Sequence, residues 1–146
     1  MHLYKFVYDG FVRSFMKILH KFYIGLVSAW KMFCAKVCAH GKLQVKWVNS
    51  IRGAFKTEVI GNGSITIGRF LMSRGPLYLK SVNDGKLTIG DDVFFNHNCS
   101  ITCAEKVTIT KGVHIGSGAV IGANAVVVND IEAHAIVAGV PAKRIK

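Results

Sequence analysis

Acidic residues are scarce in this chain, and they are absent from one long stretch. The 146 residues include 19 Lys and Arg against 8 Asp and Glu, which gives a net charge of +11. No Asp or Glu occurs between Asp9 and Glu58, so the positive charge belongs mainly to the N-terminal segment. Such a segment suits an anionic partner. No recognisable nucleic-acid-binding motif accompanies it, so nucleic acid is not an expected partner.

The chain also lacks a long uncharged apolar run. The run from Phe22 to Trp30 is too short to span a bilayer, which takes about 20 apolar residues. No cleavage site of the A-x-A type follows a short apolar core, and lysines extend throughout this region, so no signal peptide is predicted.

Cysteines are few, and they form two pairs with a spacing of four: Cys34 with Cys38, and Cys99 with Cys103. The count alone would permit a zinc site. However, the first pair falls in a helical pattern and the second where small apolar residues are expected. We therefore predict free, mostly buried thiols, no metal, and a reducing cytoplasmic location.

What the sequence does contain is a strict period of six between Val107 and Asp130. The rows VTITKG, VHIGSG, AVIGAN and AVVVND each have an aliphatic residue in the third place. This period matches neither a helix nor simple alternation, and it is typical of a β-helix, in which short strands and tight corners wind as a solenoid. We expect the third-place residues Ile109, Ile115, Ile121 and Val127 to point inward and form one stacked column.

The same rhythm extends back to Ile65 with interruptions. Rows beginning at Ile65, Leu71, Leu77, Leu87, Val93 and Cys99 bring the total to ten, with a turn predicted at Asn83 to Lys86 and a two-residue insertion at Glu105 and Lys106. The pattern predicts an all-β solenoid over residues 65–146, a parallel β-helix of about three coils.

Residues 1–40 have a helical pattern. Ten apolar residues advance by threes and fours and form one stripe: Leu3, Val7, Phe11, Phe15, Ile18, Phe22, Leu26, Trp30, Phe33 and Val37. We predict a basic amphipathic helical arm, either continuous or broken near Gly25. Two interpretations stay open: the stripe packs against the flank of the β-helix or against other subunits, or it lies on the inner face of an anionic membrane.

Residues 41–64 form a predicted transition. Leu43, Val45 and Trp47 alternate with polar residues as a short strand would. Such a segment could cap the open end of the solenoid, where strand edges are otherwise unpaired.

The segments IGSGAVIGANAVVV and Ala138 to Ile145 (AGVPAKRI) resemble the C-terminal half of the hexapeptide-repeat acyltransferases, and IGDDVFFNHNCSI is similar to their sugar O-acetyltransferases. The resemblance covers about residues 60–146. It implies a left-handed β-helix, a homotrimer, and acetyl-CoA as the acyl donor, bound in grooves between subunits.

In that family a histidine takes the proton from the acceptor hydroxyl. The histidine of relatives lies in an Asp-His-x-His-like segment of a middle coil, and this sequence has no such segment. His97, flanked by Asn96 and Asn98 that could orient its imidazole, is the candidate catalytic residue. His114 is interpreted as an outward surface residue, and His134 as part of a loop cap.

The resemblance also implies residues for binding acetyl-CoA. Ala123 matches a small corner position of the last coils, and Lys143 and Lys146 match basic positions that meet the CoA phosphates, with Arg144 adjacent.

These features lead to a functional hypothesis with two alternatives. The first hypothesis is an O-acetyltransferase that moves an acetyl group from acetyl-CoA to a saccharide hydroxyl, free or lipid-linked, in surface-polysaccharide synthesis. One alternative is a catalytically silent trimeric scaffold or a membrane-associated partner of a full-length relative. The other is a serine acetyltransferase-like enzyme. The expected location is cytoplasmic, including the inner face of the membrane.

Overall fold

The structure is a computed structural model that describes the backbone of residues 2–46 and 48–146 and the side chains of residues 13–46 and 48–146. It consists of one helix, α1 (His2–Cys38), and fifteen short strands. The strands are β1 (Leu43–Val45), β2 (Ser50–Ile51), β3 (Phe55–Ile60), β4 (Ser64–Ile67), β5 (Met72–Ser73), β6 (Leu77–Val82), β7 (Lys86–Ile89), β8 (Phe94–Phe95), β9 (Cys99–Cys103), β10 (Lys106–Ile109), β11 (His114–Ile115), β12 (Val120–Ile121), β13 (Val126–Val127), β14 (Ile136–Ala138) and β15 (Lys143–Arg144).

The strands wind into a parallel β-helix, as the period of six predicts, and it matches the left-handed form that the family resemblance implies. Every third strand stacks in one sheet. The first face contains β1, β4, β7, β10 and β13, the second contains β2, β5, β8 and β11, and the third contains β3, β6, β9, β12, β14 and the antiparallel β15. The solenoid makes about four turns, and a shortened last coil is closed by β15.

The third-place residues point into a common core, and their burial confirms the predicted inward positions. They form three columns rather than the single column expected. Ile109 stacks between Ile89 and Val127 on the first face, whereas Ile115 pairs with Phe95 on the second and Ile121 with Ile101 on the third. The reason is geometric: three rows complete one coil, so each row stacks only on the row one coil away.

Residues 43–60 differ from the predicted cap because they form a complete coil. Leu43 pairs with Ile65, which pairs with Leu87, so each of these coils is a repeat of 22 residues. Asn49 occupies an inward place and accepts the Leu71 N–H through Oδ1 at 2.8 Å, and Thr57 pairs with Leu79. These polar residues conceal the period of six in the sequence. The strand predicted at Leu43 and Val45 is confirmed, and Trp47 lies outside the described residues.

The arm is one continuous helix that passes Gly25 without a break. It contacts all three strands of the first coil and therefore lies across the open end of the solenoid. Its packing face is not the predicted apolar stripe but a row of mostly small residues: Ser28, Met32, Ala35 and Ala39, all buried. The stripe residues from Phe15 to Val37 are exposed, so the interpretation in which they pack against their own β-helix is wrong. The side chains of Leu3, Val7 and Phe11 lie outside the described residues.

Helix α1 provides hydrogen-bond partners for backbone groups of β2, at the open edge of the first coil. The Ile51 N–H donates to the Ser28 hydroxyl oxygen at 2.9 Å, and the Ser28 hydroxyl donates to the Ile24 carbonyl at 2.7 Å. Lys31 Nζ donates to the Ile51 carbonyl at 3.3 Å. Such contacts cover a sheet edge that could pair with another chain.

Removing the Ser28 hydroxyl leaves the Ile51 N–H without its acceptor. We expect Ser28→Ala to lower the free energy of unfolding by about 1–3 kcal/mol, the usual cost of an unsatisfied buried donor. The matched control is Ser14→Ala, at an exposed site of the same helix, which should change stability by about 0.5 kcal/mol or less. Urea unfolding followed by circular dichroism measures both. Equal effects of the two substitutions would contradict this role for Ser28.

Candidate active site

His97 lies at the corner between the second and third faces, directly after β8. Its side chain is exposed, and the corner around it is kept open by glycines of the adjacent coils. A Cβ at Gly75 would lie 2.7 Å from His97 Cδ2, so only glycine fits beneath the imidazole. On the other side, the Gly118 N–H donates to the His97 carbonyl at 2.7 Å.

Asn96 fixes the protonation pattern of the His97 ring. Asn96 Oδ1 accepts the His97 backbone N–H at 3.0 Å, so this atom of the amide is the oxygen. The same oxygen lies 2.8 Å from His97 Nδ1, and because an amide oxygen can only accept, Nδ1 must carry the proton. Nε2 of the neutral ring is then left with its lone pair, which is the arrangement a general base requires.

The two asparagines beside His97 have different roles. Asn96 orients the imidazole, as the sequence predicts. Asn98 instead adopts a left-handed conformation with a φ of 56°, which asparagine tolerates better than most residues and which turns the chain into the third face.

A second imidazole, that of His134, lies in the same column of corners two coils further along, with the Ser117–Gly118 corner between the two. A Cβ at Gly118 would lie 2.7 Å from His134 Nδ1, and the His134 N–H donates to the Ser117 carbonyl at 2.7 Å. The sequence predicts that His134 is part of a loop cap, and it does not indicate that His134 and His97 lie in the same column of corners. Coils of unequal length, 20 residues from Leu87 to Val107 and then 18 to the next coil, hide this register in the sequence.

His114 points outward from the second face, as predicted. Its N–H donates to Asp130 Oδ1 at 2.8 Å, its Nδ1 lies 3.6 Å from the same oxygen, and its ring centroid is 5.6 Å from that of Phe94. The 3.6 Å separation is longer than a hydrogen bond, so Asp130 does not orient the His114 ring as Asn96 orients that of His97, and His114 is the poorer base candidate.

A shallow hollow lies on the second face, and one of its lining residues, Arg74, directly precedes the Gly75 that lies against His97. Its volume is about 110 Å³, and it is lined by Ser50, Arg52, Met72, Ser73, Arg74 and Phe94. The Arg74 guanidinium carbon lies 5.4 Å from the centre of the Phe94 ring. Hydroxyl, guanidinium and aromatic groups together can bind a polar molecule that also has an apolar face.

The cysteines do not supply a nucleophile at this corner. All four are free, and Cys99 and Cys103 are buried, whereas Cys34 is partly exposed and Cys38 exposed. Burial raises the pKa of the Cys99 and Cys103 thiols, so both stay protonated at neutral pH. The expectation of mostly buried thiols therefore holds only for the pair in the solenoid. Among the described residues, no group of three or more His, Cys, Asp or Glu side chains is arranged to hold a metal ion.

The residues predicted to bind acetyl-CoA lie at the far edge of the third face. Ala123 is exposed at the corner that leaves this face, next to Gly122. Lys143 and Arg144 form β15, which pairs antiparallel with β14 of the same face. Arg144 is held by Glu132 at 2.8 Å, whereas Lys143 and Lys146 form no ion pair with any described residue. Lys143 pairs with Ala138 at the exit of the third face, whereas the Lys146 carbonyl accepts the Ile136 N–H at 3.1 Å at its entry, on the same side as the His97 corner.

The chain is similar to several acetyltransferases. The chain is 38% identical over 81 residues to a chloramphenicol acetyltransferase of Escherichia coli, a match that covers 53% of this chain and 35% of the relative. It is 37% identical over 71 residues to WbbJ of Escherichia coli K12, described as a putative lipopolysaccharide biosynthesis O-acetyl transferase, covering 49% of this chain and 32% of the relative. A probable macrolide acetyltransferase of Lysinibacillus sphaericus is 45% identical over 62 residues, which is 42% of this chain and 30% of the relative.

These relatives and the solenoid together fit the hexapeptide-repeat acyltransferases. The chain spans about a third of the length of the curated relatives it matches. No family model matches the chain, and no solved structure matches it.

Proposed function

We propose that this protein transfers an acetyl group from acetyl-CoA to a hydroxyl group of a saccharide, with His97 as the general base. The observation that carries the proposal is the exposed His97 ring, which Asn96 holds with Nε2 free, in a solenoid similar to acetyltransferases. The similarity to an O-acetyl transferase of lipopolysaccharide biosynthesis supports a saccharide acceptor in surface-polysaccharide synthesis.

The acceptor would bind in the hollow beside His97. Sugars present hydroxyl groups and an apolar ring face, which match Ser50, Arg74 and Phe94. In the proposed reaction, His97 Nε2 takes the proton of the acceptor hydroxyl while the oxygen attacks the thioester carbon. The bond from carbon to sulfur then breaks, and the imidazolium returns the proton to the departing thiolate.

The donor end of the proposed site uses Lys143 and Lys146. Both are exposed cations without an ion-pair partner among the described residues, so they are available to the phosphates of acetyl-CoA. Ala123 gives the neighbouring corner a small side chain, which leaves room for the pantetheine arm. Arg144 is already engaged by Glu132 and would contribute less. Acetyl-CoA supplies the activated acetyl group. In the homotrimer that we propose, the third face would border a groove between two subunits.

Acetyl-CoA binding tests the donor end. We expect Lys143→Gln with Lys146→Gln to weaken binding roughly 30-fold, because each charged contact with a phosphate contributes on the order of 1 kcal/mol. The matched control replaces Lys42 and Lys46, at the first coil, with Gln and should leave the affinity unchanged. Isothermal titration calorimetry measures all three proteins. An equal loss in the control pair would mean that general charge, not this site, attracts the donor.

The acceptor class is tested by offering acetyl-CoA with free saccharides, lipid-linked saccharides, L-serine or an amine. The proposal predicts a mass increase of one acetyl group on a saccharide, identified by mass spectrometry. Acetylation of serine alone would instead support the serine acetyltransferase-like alternative. Acetyl-CoA binding without any product would support the scaffold and overturn the proposed function.

A further inference from the structure

The side of α1 turned away from the solenoid carries a continuous apolar surface. Ile18, Phe22, Leu26, Trp30, Phe33 and Val37 are all exposed, with Phe22 at 66% and Trp30 at 67% of their full accessible area. We call these six residues the outer face of α1. Surfaces of this kind on soluble proteins usually mark a binding site, because single exposed apolar residues are common but long contiguous sets are not.

The outer face extends beyond the part of the helix that packs on the protein. Buried helix residues lie only between Ser28 and Ala39, whereas every described side chain from Arg13 to Tyr23 is exposed. Toward its C-terminal end the outer face continues into an apolar groove of about 630 Å³. The groove lies between α1 and residues 45, 46, 48 and 49, and Lys36 and Lys46 are among its lining residues. The protein therefore presents one long apolar strip with cations beside it.

The charge of this region indicates what covers the strip. From Gly10 to Thr57 the sequence has nine Lys and Arg and no Asp or Glu. Two copies of the helix that met through their outer faces would bring like charges together without any acidic group in this stretch to balance them. An anionic lipid surface instead offers opposite charge to the lysines and an apolar layer to the aromatic rings, which favour the membrane interface.

We infer that the outer face of α1 binds the surface of an anionic phospholipid membrane, with the helix in the plane of the interface. The aromatic and aliphatic side chains enter the boundary between headgroups and acyl chains, and Lys36 and Lys46, which line the groove that continues the outer face, contact lipid phosphates. Since α1 crosses the end of the first coil, this end of the solenoid faces the membrane and the later coils lie further from it. The His97 corner lies two coils further along the axis, about 10 Å at the spacing of stacked strands. Among the described residues, no helix is long and apolar enough to span a bilayer.

Flotation with lipid vesicles tests this inference on the full chain. The wild-type protein should float with vesicles of phosphatidylglycerol and phosphatidylcholine, bind pure phosphatidylcholine vesicles at least tenfold more weakly, and lose binding as salt concentration rises. The double variant Lys36→Gln, Lys46→Gln should bind anionic vesicles roughly 25-fold more weakly, since each cation near an anionic surface contributes about fivefold.

A second pair of variants tests the apolar strip. Leu26→Gln with Trp30→Gln should lower vesicle binding at least tenfold, whereas Ile60→Gln with Ile145→Gln, at exposed apolar sites elsewhere, should not lower it. Both pairs should keep the wild-type melting temperature, because all four side chains are exposed.

Two results would overturn the inference. One is unchanged vesicle binding in the Leu26 and Trp30 variant. The other is that the wild-type protein binds no vesicles and forms an oligomer in analytical ultracentrifugation, whereas the Leu26 and Trp30 variant does not form this oligomer. The outer face would then be an interface between copies of the chain.

Discussion

Replacing His97 with alanine is expected to lower the turnover number for acetyl transfer by about 10²–10⁴-fold, the usual contribution of a positioned general base. The reason is that Nε2 is the one ring nitrogen left free by the contact of Nδ1 with Asn96. Release of the CoA thiol, followed with a thiol reagent at saturating substrates, measures the loss.

The control for this substitution is His114→Gln, which removes another exposed imidazole from the same side of the solenoid. The His114 ring points outward and lies 3.6 Å from Asp130, too far for a hydrogen bond that would orient it, so the turnover of this variant should stay within about twofold of wild type. Both variants should melt like the wild-type protein because both rings are exposed. Wild-type turnover in His97→Ala would remove His97 from the mechanism.

The largest expected effect on stability is that of Phe95→Ala. Phe95 is fully buried in the second face, between Ser73 and Ile115 of the adjacent coils. Truncating a buried Phe to Ala costs about 3–5 kcal/mol, which is a large part of the 5–15 kcal/mol that keeps an ordinary domain folded. Urea unfolding should show a midpoint shifted to much lower denaturant concentration, with an unchanged slope.

Phe94→Ala is the matched control, because the same residue type stands one place earlier and points outward. It loses only the contacts with Arg74 and His114 at the surface, so we expect a cost of about 1 kcal/mol or less. Equal costs at the two positions would contradict the inward assignment of the third place. A larger cost for Phe94 would reverse it.

The regular part of the fold is predictable because its cause is local. An inward third place must be apolar in each row, so Ile109, Ile115, Ile121 and Val127 reveal the solenoid without any knowledge of distant contacts. The sequence does not reveal the first coil, because polar Asn49 and Thr57 stand where the next coil has Leu71 and Leu79.

The helix shows a different limit. Its apolar periodicity predicts a helix and one distinct face, and both are observed. Periodicity does not say which face meets the rest of the protein. Close approach to the first coil requires small side chains, and Ser28, Ala35 and Ala39 provide them on the side away from the aromatic residues.

The candidate site was predictable in its central residue but not in its surroundings. His97 and its orientation by Asn96 depend on adjacent residues, so the sequence suffices to find them. Gly75 lies against His97, and His134 lies in the same column of corners two coils further along, because coils of different length stack on one another. That register depends on turns and insertions that are visible only in the folded chain.

The rate of CoA release by the purified full chain is the most direct test of acetyl transfer to a saccharide. With acetyl-CoA and a saccharide acceptor, we expect CoA release well above the rate without protein. This rate should depend on the acceptor and saturate in both substrates. Saturable binding of acetyl-CoA with CoA release no faster than in buffer, for every saccharide offered, would contradict it.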